Sequence, residues 1–276
     1  MIKAVFLDLD ETLMPEEAAE EATLRATCAI AEAQTGIPSA QLAENLRRHS
    51  LELWGQGPVN NFCRATGIGP WEGLWGRFDG EGQAMAILRQ WVPGYRDRAW
   101  IRCLADHGIV SEALVSCLGT MYAVERARHH IPYPETVSAV TALQARYHCL
   151  VVTNGAPDVQ RDKLHISGLG RLLPEPIVSG DPDIGEGKPH PRIFLTALER
   201  AGCAPGEAVM VGDSWARDVI GARHLGLAAV WVNRSVSPQA MSAAGVPTIT
   251  SLVNLTEVLE RVGRTHNTPP QLLGGP

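Results

Sequence analysis

The stretch that most constrains this chain is Phe6-Leu7-Asp8-Leu9-Asp10-Glu11-Thr12-Leu13. An apolar run, Ile2 and Ala4 to Leu7, reads as a buried β-strand, and it stops at two aspartates one residue apart. In an extended chain, residues i and i+2 point the same way. Two acids on one face repel, and burying them unpaired is costly. The pair therefore calls for a cation. A plainer reading is a strand running into a helix N-terminus, with Asp10 or Thr12 as the cap.

Composition narrows the classes. At 276 residues the chain can bury a large core, as one large domain or two smaller ones. A hydrophobic content of 45% against 20% charged is that of a globular protein. The net charge is -6 and no basic run stands out, which argues against a nucleic-acid polymer as partner. Cys28, Cys63, Cys103, Cys117, Cys149 and Cys203 show no metal-ligand spacing and read as free thiols in a reducing compartment. The first apolar run meets Asp8 too soon for a signal peptide, and no stretch is long enough to span a membrane. A cytoplasmic protein without membrane contact is expected.

Along the chain, residues 15–130 read as helical. Helices are expected over Glu16 to Gln34, Ser39 to Leu53, around Trp71 and Trp75, over Gly82 to Trp91, Asp97 to His107 and Ser111 to Arg128. Five of the seven tryptophans lie here, and helix packing explains them more simply than ligand contact. His129-His130 reads as an exposed hinge end. Ile131-Pro132-Tyr133-Pro134 forbids helix continuation. Thereafter strands (Cys149 to Thr153, Pro176 to Ser179, Ala208 to Val211, Ala228 to Val232, Pro247 to Thr250) alternate with helices, the last over Leu252 to Val262. That alternation predicts an α/β fold, a Rossmann-like parallel sheet core with an inserted α-helical cap. The expected division is 1–14 and 131–262 for the core, 15–130 for the cap and 263–276 for a flexible tail.

Open parallel sheets bind ligands at the carboxyl ends of their strands. Asp8 and Asp10, Thr153-Asn154-Gly155, the loop holding Lys188, and Gly212-Asp213-Ser214 with Asp218 beyond it all fall there. Asp8, Asp10 and Asp213 make an oxygen-rich set suited to Mg²⁺. Thr153 offers a hydroxyl and nearby main-chain N–H groups to an anion, and Lys188 supplies a positive charge. This combination suits phosphoryl transfer, which needs positioning and neutralised oxygen charge. One carboxylate can attack as a nucleophile while a second exchanges the leaving-group proton. His190 reads as a helix-start residue, and Trp215 either borders the site or packs its helix.

These four segments, in this order, resemble the motifs of the haloacid dehalogenase superfamily. The likeness covers residues 1–14 and 131–262, and the helical stretch between matches only in type. The resemblance implies that Asp8 is the nucleophile and Asp10 the general acid/base, with the Asp10 main-chain carbonyl on Mg²⁺. Asp213 would ligate the metal and Asp218 would support that site. Thr153, with Asn154, would hold the phosphate, and Lys188 would bridge Asp8 and the phosphate. A Mg²⁺-dependent phosphatase of a small phosphorylated metabolite follows, acting through an aspartyl-phosphate. Within the superfamily the motifs are most similar to the nucleotidase and N-acylneuraminate-9-phosphatase group. A phosphomutase would keep the same site, although Glu11 stands where sugar phosphomutases carry glycine. The superfamily's dehalogenases lack the second aspartate. A non-catalytic phosphometabolite-binding module would show a decayed motif, and none is decayed. Arg47, Arg48, Asn60, Asn61 and Arg64 are candidate cap contacts to the leaving group.

Overall fold

A computed structural model describes residues 1–234 and 245–266. β1 (Ala4–Leu7) is followed by α1 (Glu16–Thr35), α2 (Ser39–Trp54), α3 (Asn60–Thr66), α4 (Pro70–Gly73), α5 (Gln83–Ala105) and α6 (Glu112–Arg128). The chain then forms α7 (Thr136–Gln144), β2 (His148–Thr153), α8 (Pro157–Ile166), β3 (Ile177–Val178), α9 (Pro191–Ala201) and β4 (Ala208–Gly212). A π-helical turn, Trp215–Ile220, runs into α10 (Gly221–His224), and β5 (Ala228–Val232), β6 (Thr248–Ile249) and α11 (Leu255–His266) complete it.

The six strands are parallel, in the order β3-β2-β1-β4-β5-β6. Side-chain alternation along β1 explains the layers. Val5 and Leu7 face Val140 and Leu143 of α7 and Leu255, Val258 and Leu259 of α11. Ala4 and Phe6 face Ile193, Phe194 and Ala197 of α9 and Ala222 of α10. With both faces covered, β1 is apolar throughout rather than alternating. The inserted helices bury a core of their own, with Leu24, Leu46, Leu88, Trp100 and Leu118 from α1, α2, α5 and α6. Trp54, Trp91 and Tyr95 interlock edge-on and stacked, so these aromatic residues serve packing.

Three expectations need correction. The helices expected over Gly82 to Trp91 and Asp97 to His107 are one helix, α5, with Pro93 inside it. Proline removes a single ladder bond, while Leu88, Val92, Tyr95, Ala99 and Trp100 bury a continuous face that holds the helix together across it. The last helix passes Val262 and runs to His266, so residues 263–266 of the expected tail are helical; the rest, 267–276, lies outside the described residues. His130 is buried, not exposed. Its ring lies 5.1 Å from that of Trp75, where the chain returns beneath the inserted helices.

All six cysteines are unpaired: Cys28, Cys63, Cys103 and Cys149 are buried, Cys203 is partly covered and Cys117 is exposed. Among the described residues, no helix is long and apolar enough to cross a membrane.

Candidate active site

The sheet order reverses direction at β1, so its switch point lies between β1 and β4. Leu7 pairs with Val211 there, and the next residues out are Asp8 on one strand and Gly212-Asp213 on the other. Asp8 stays in register, its N–H donating to the Val211 carbonyl at 2.9 Å. The Thr12 hydroxyl ties the two strand ends together. It donates to Asp8 Oδ2 at 3.3 Å and accepts from the Asp213 N–H at 3.1 Å.

Lys188 is the buried cation at this point. Its Nζ lies 2.5 Å from Asp8 Oδ1 and 2.7 Å from Asp218 Oδ1. Burial works against its charge, yet Asp218 and then Asp8 outweigh it and raise the Lys188 pKa above the ordinary lysine value. Asp218 is fully engaged, since its other oxygen accepts from the Ser214 N–H at 2.9 Å. Burial lifts its pKa to about 6 against the pull of Lys188. Gly212 permits this packing, because a Cβ there would sit 2.3 Å from the Asp218 carboxylate.

Carboxylate oxygens of Asp8, Asp213 and Asp218 lie within 4.8 Å of one another. Burial first, then Asp8 and Asp218, push Asp213 up to about 8. Three acids facing one lysine leave uncompensated negative charge, and all-oxygen donors suit Mg²⁺. The donor set therefore fits a hard divalent cation, with Asp8 and Asp218 each also holding Lys188. The Asp10 carboxylate is not in this cluster and turns elsewhere.

That carboxylate goes to a residue that sequence reasoning missed. Lys163, buried on α8, donates to both Asp10 oxygens at 2.9 Å and lies 3.0 Å from Glu16 Oε1. Burial raises Asp10 to about 7 despite Lys163. Desolvation works against the Glu16 charge, but Lys163 and Arg126 hold it down at about 2. The tight turn after Asp10 puts Glu11 at φ 59°, a conformation rare for a side-chain-bearing residue. Its carboxylate accepts from the Glu17 N–H at 2.6 Å and the Tyr133 hydroxyl at 3.1 Å, which hold the turn closed.

Thr153 and Asn154 end β2 just before the α8 N-terminus, where N–H groups favour an anion. Thr153 is buried, with its hydroxyl 3.3 Å from Gln160 Oε1. Asn154 grips the Lys188 backbone at both ends: its Nδ2 donates to the Lys188 carbonyl at 2.9 Å, and its Oδ1 accepts from the Lys188 N–H at 2.7 Å. Its side-chain amide is thus occupied in placing Lys188. His190 caps α9, accepting from the Arg192 N–H at 3.3 Å. Trp215 packs edge-on against Trp231, 5.1 Å away.

The inserted helices dock onto this edge. Glu72 of α4 accepts from the Ala156 N–H at 3.0 Å and from Gln160 Nε2 at 3.2 Å. In return Asp158 of α8 accepts from the N–H groups of Arg77 and Phe78 at 2.9 and 2.8 Å. A cavity of about 150 Å³ remains, lined by Asp8, Asp10, Thr153, Lys188, Asp213 and Arg217 among others. The five candidate cap contacts do not line it. Arg47 pairs with Glu21, Arg48 with Asp106, Asn60 bonds the Gly55 carbonyl, and Asn61 and Arg64 are exposed.

An acid cluster at the switch point, bridged by a buried lysine and covered by inserted helices, is a phosphoryl-transfer site in form. The family model for haloacid dehalogenase-like hydrolases matches residues 2–226. The phosphoserine phosphatase of Thermus thermophilus is 33% identical over 86% of this chain and 91% of its own. The glyceraldehyde 3-phosphate phosphatase of Methanopyrus kandleri is 30% identical over 85% of each. Mammalian N-acylneuraminate-9-phosphatases match over less than half of this chain. Among solved structures, a 2-haloacid dehalogenase from Pseudomonas syringae superposes with TM-score 0.60 at 26% identity, covering 95% of this chain and 99% of that one. The chain belongs to the haloacid dehalogenase-like hydrolases. Within them it is a phosphoric monoester hydrolase, in keeping with the phosphatases that match it end to end.

Proposed function

We propose that this protein is a Mg²⁺-dependent phosphatase that hydrolyses a small phosphomonoester through an aspartyl-phosphate on Asp8. The observation that carries this reading is Lys188 Nζ bridging Asp8 and Asp218, with Asp213 in the same cluster, at the floor of the small cavity. An Asp8 oxygen attacks phosphorus as the bond to the leaving oxygen breaks, and Asp10 gives that oxygen its proton. Water then attacks phosphorus, Asp10 takes the proton, and Asp8 is restored. Lys188 balances charge on Asp8 and the phosphoryl oxygens, while Thr153 and the α8 N-terminus receive those oxygens. Asp8, Asp213 and the Asp10 main-chain carbonyl would hold Mg²⁺, which when bound supplies further neutralisation of phosphoryl charge. The docked helices exclude water during the first step.

A cavity of about 150 Å³ favours a compact leaving group. O-Phosphoserine is the first substrate to try, because the phosphatase of that substrate matches this chain nearly end to end. The test is phosphate release from phospho-amino acids, triose phosphates, sugar phosphates and nucleotides, with Mg²⁺ and with chelator. Release should need Mg²⁺ and disappear in Asp8→Asn. A wild-type protein that releases phosphate from none of them would sink the reading.

A further inference from the structure

Lys163 stands apart from the four motifs, yet it is the residue that grips Asp10. Its ammonium is buried, and it meets both Asp10 oxygens at 2.9 Å and Glu16 at 3.0 Å. Glu16 opens the first inserted helix and also accepts from Arg126 of α6. Arg126 is buried too, 5.7 Å over the ring of Trp75. Two buried cations and two partly buried carboxylates therefore alternate in a row from the catalytic edge into the inserted helices. Such a row is poor at adding stability, since desolvation offsets most of its Coulomb energy. What it does well is fix direction. No other hydrogen bond to the Asp10 carboxylate is found among the described residues, so Lys163 sets where it points.

We infer that Lys163 is a positioning residue that aims the Asp10 carboxylate at the leaving-group oxygen, and that Glu16 and Arg126 make this aim depend on the docked helices. The inference rests on the proposed role of Asp10. In the first step the Asp8–phosphorus bond forms, the phosphorus–oxygen bond breaks, and the Asp10 proton passes to the departing oxygen. An alkoxide cannot leave without that proton; a carboxylate can.

The discriminating measurement is kcat/KM, which includes only steps up to aspartyl-phosphate formation, on two substrates with Mg²⁺. One is whichever alkyl phosphomonoester the wild type hydrolyses best. The other is acetyl phosphate, a compact mixed anhydride whose acetate departs as the anion, with Asp8→Asn as the blank. Lys163→Met should lower kcat/KM on the alkyl ester by about 10²-fold, the usual worth of a placed proton donor. On acetyl phosphate the loss should stay under about tenfold, giving at least about a tenfold fall in the ratio between substrates. Lys163→Arg, which keeps a charged donor, should hold the ratio within about threefold of wild type. Glu16→Gln retains the side-chain shape and should lower the ratio about tenfold, so it carries the test if Lys163→Met does not fold. Equal losses on both substrates in Lys163→Met would leave Lys163 a merely structural lysine, and an unchanged ratio in Glu16→Gln would break the link to the inserted helices. A wild type inactive on both substrates overturns the role of Asp10 as well; an active wild type with equal losses overturns only the role of Lys163.

Discussion

His130 gives this protein a built-in sensitivity to acid. The imidazole is 3% exposed, and neither ring nitrogen has a hydrogen-bond partner among the described residues. Burial, then the neighbouring Arg126 charge, lowers its pKa to about 3 from an ordinary value of 6.5. The folded state therefore holds His130 neutral where the unfolded chain would already be protonated. Between those two values the unfolded state binds more protons, so stability rises with pH and is lost as pH falls below about 6.5. At about pH 5 the deficit is roughly 1.5 pK units, or about 2 kcal/mol. The perturbation is His130→Phe, which keeps a flat ring against Trp75 and removes the titration. Urea unfolding followed by tryptophan fluorescence, at about pH 7.5 and about pH 5 with chelator throughout, gives the stability lost on acidification. The variant should lose about 2 kcal/mol less than the wild type. Equal losses in the two proteins would refute the argument.

Two other substitutions test the packing around the site. Gly212→Ala puts a methyl 2.3 Å from the Asp218 carboxylate and should drive it off Lys188, lowering phosphatase activity by about 10²-fold. Gly206→Ala, with nothing within 4 Å, should leave activity unchanged. Asp158→Ala strips the acceptor from the N–H groups of Arg77 and Phe78. Hydrogen exchange of those two amides should accelerate, equivalent to about 2–4 kcal/mol of local stability.

How much of this was legible in the sequence follows from the reach of each contact. Asp8, Thr153 and Asp213 each sit at or just beyond a strand end, which announces itself in the apolar run before it, and Lys188 lies in the loop between β3 and α9. The parallel sheet and the helical insertion followed from the same local signals. Pairings across the chain were not legible. Lys163 meets Asp10, and Glu72 meets Gln160, across stretches that no periodicity connects. Lys163 did leave one trace: it lies four residues after Val159 on the buried face of α8, where a lysine needs an acid to face. Pro93 misled in the opposite direction, because a local rule about prolines yielded to the burial of a whole helix face. His130 looked exposed because its neighbours in sequence suggest a hinge, while Trp75, far off in sequence, packs against its ring.

The helical insertion leaves the sheet after β1 and returns before β2, and those two strands are neighbours. The exit and the re-entry are held side by side, the Tyr133 N–H donating to the Leu13 carbonyl at 3.1 Å. Any helical piece whose ends meet in that way could be grafted there without a strand changing partner. The sheet edge that holds the acid cluster and the helices that dock on it are thus separable parts of the chain. The row from Asp10 to Arg126 limits that freedom, since a foreign insertion must bring its own match for Lys163.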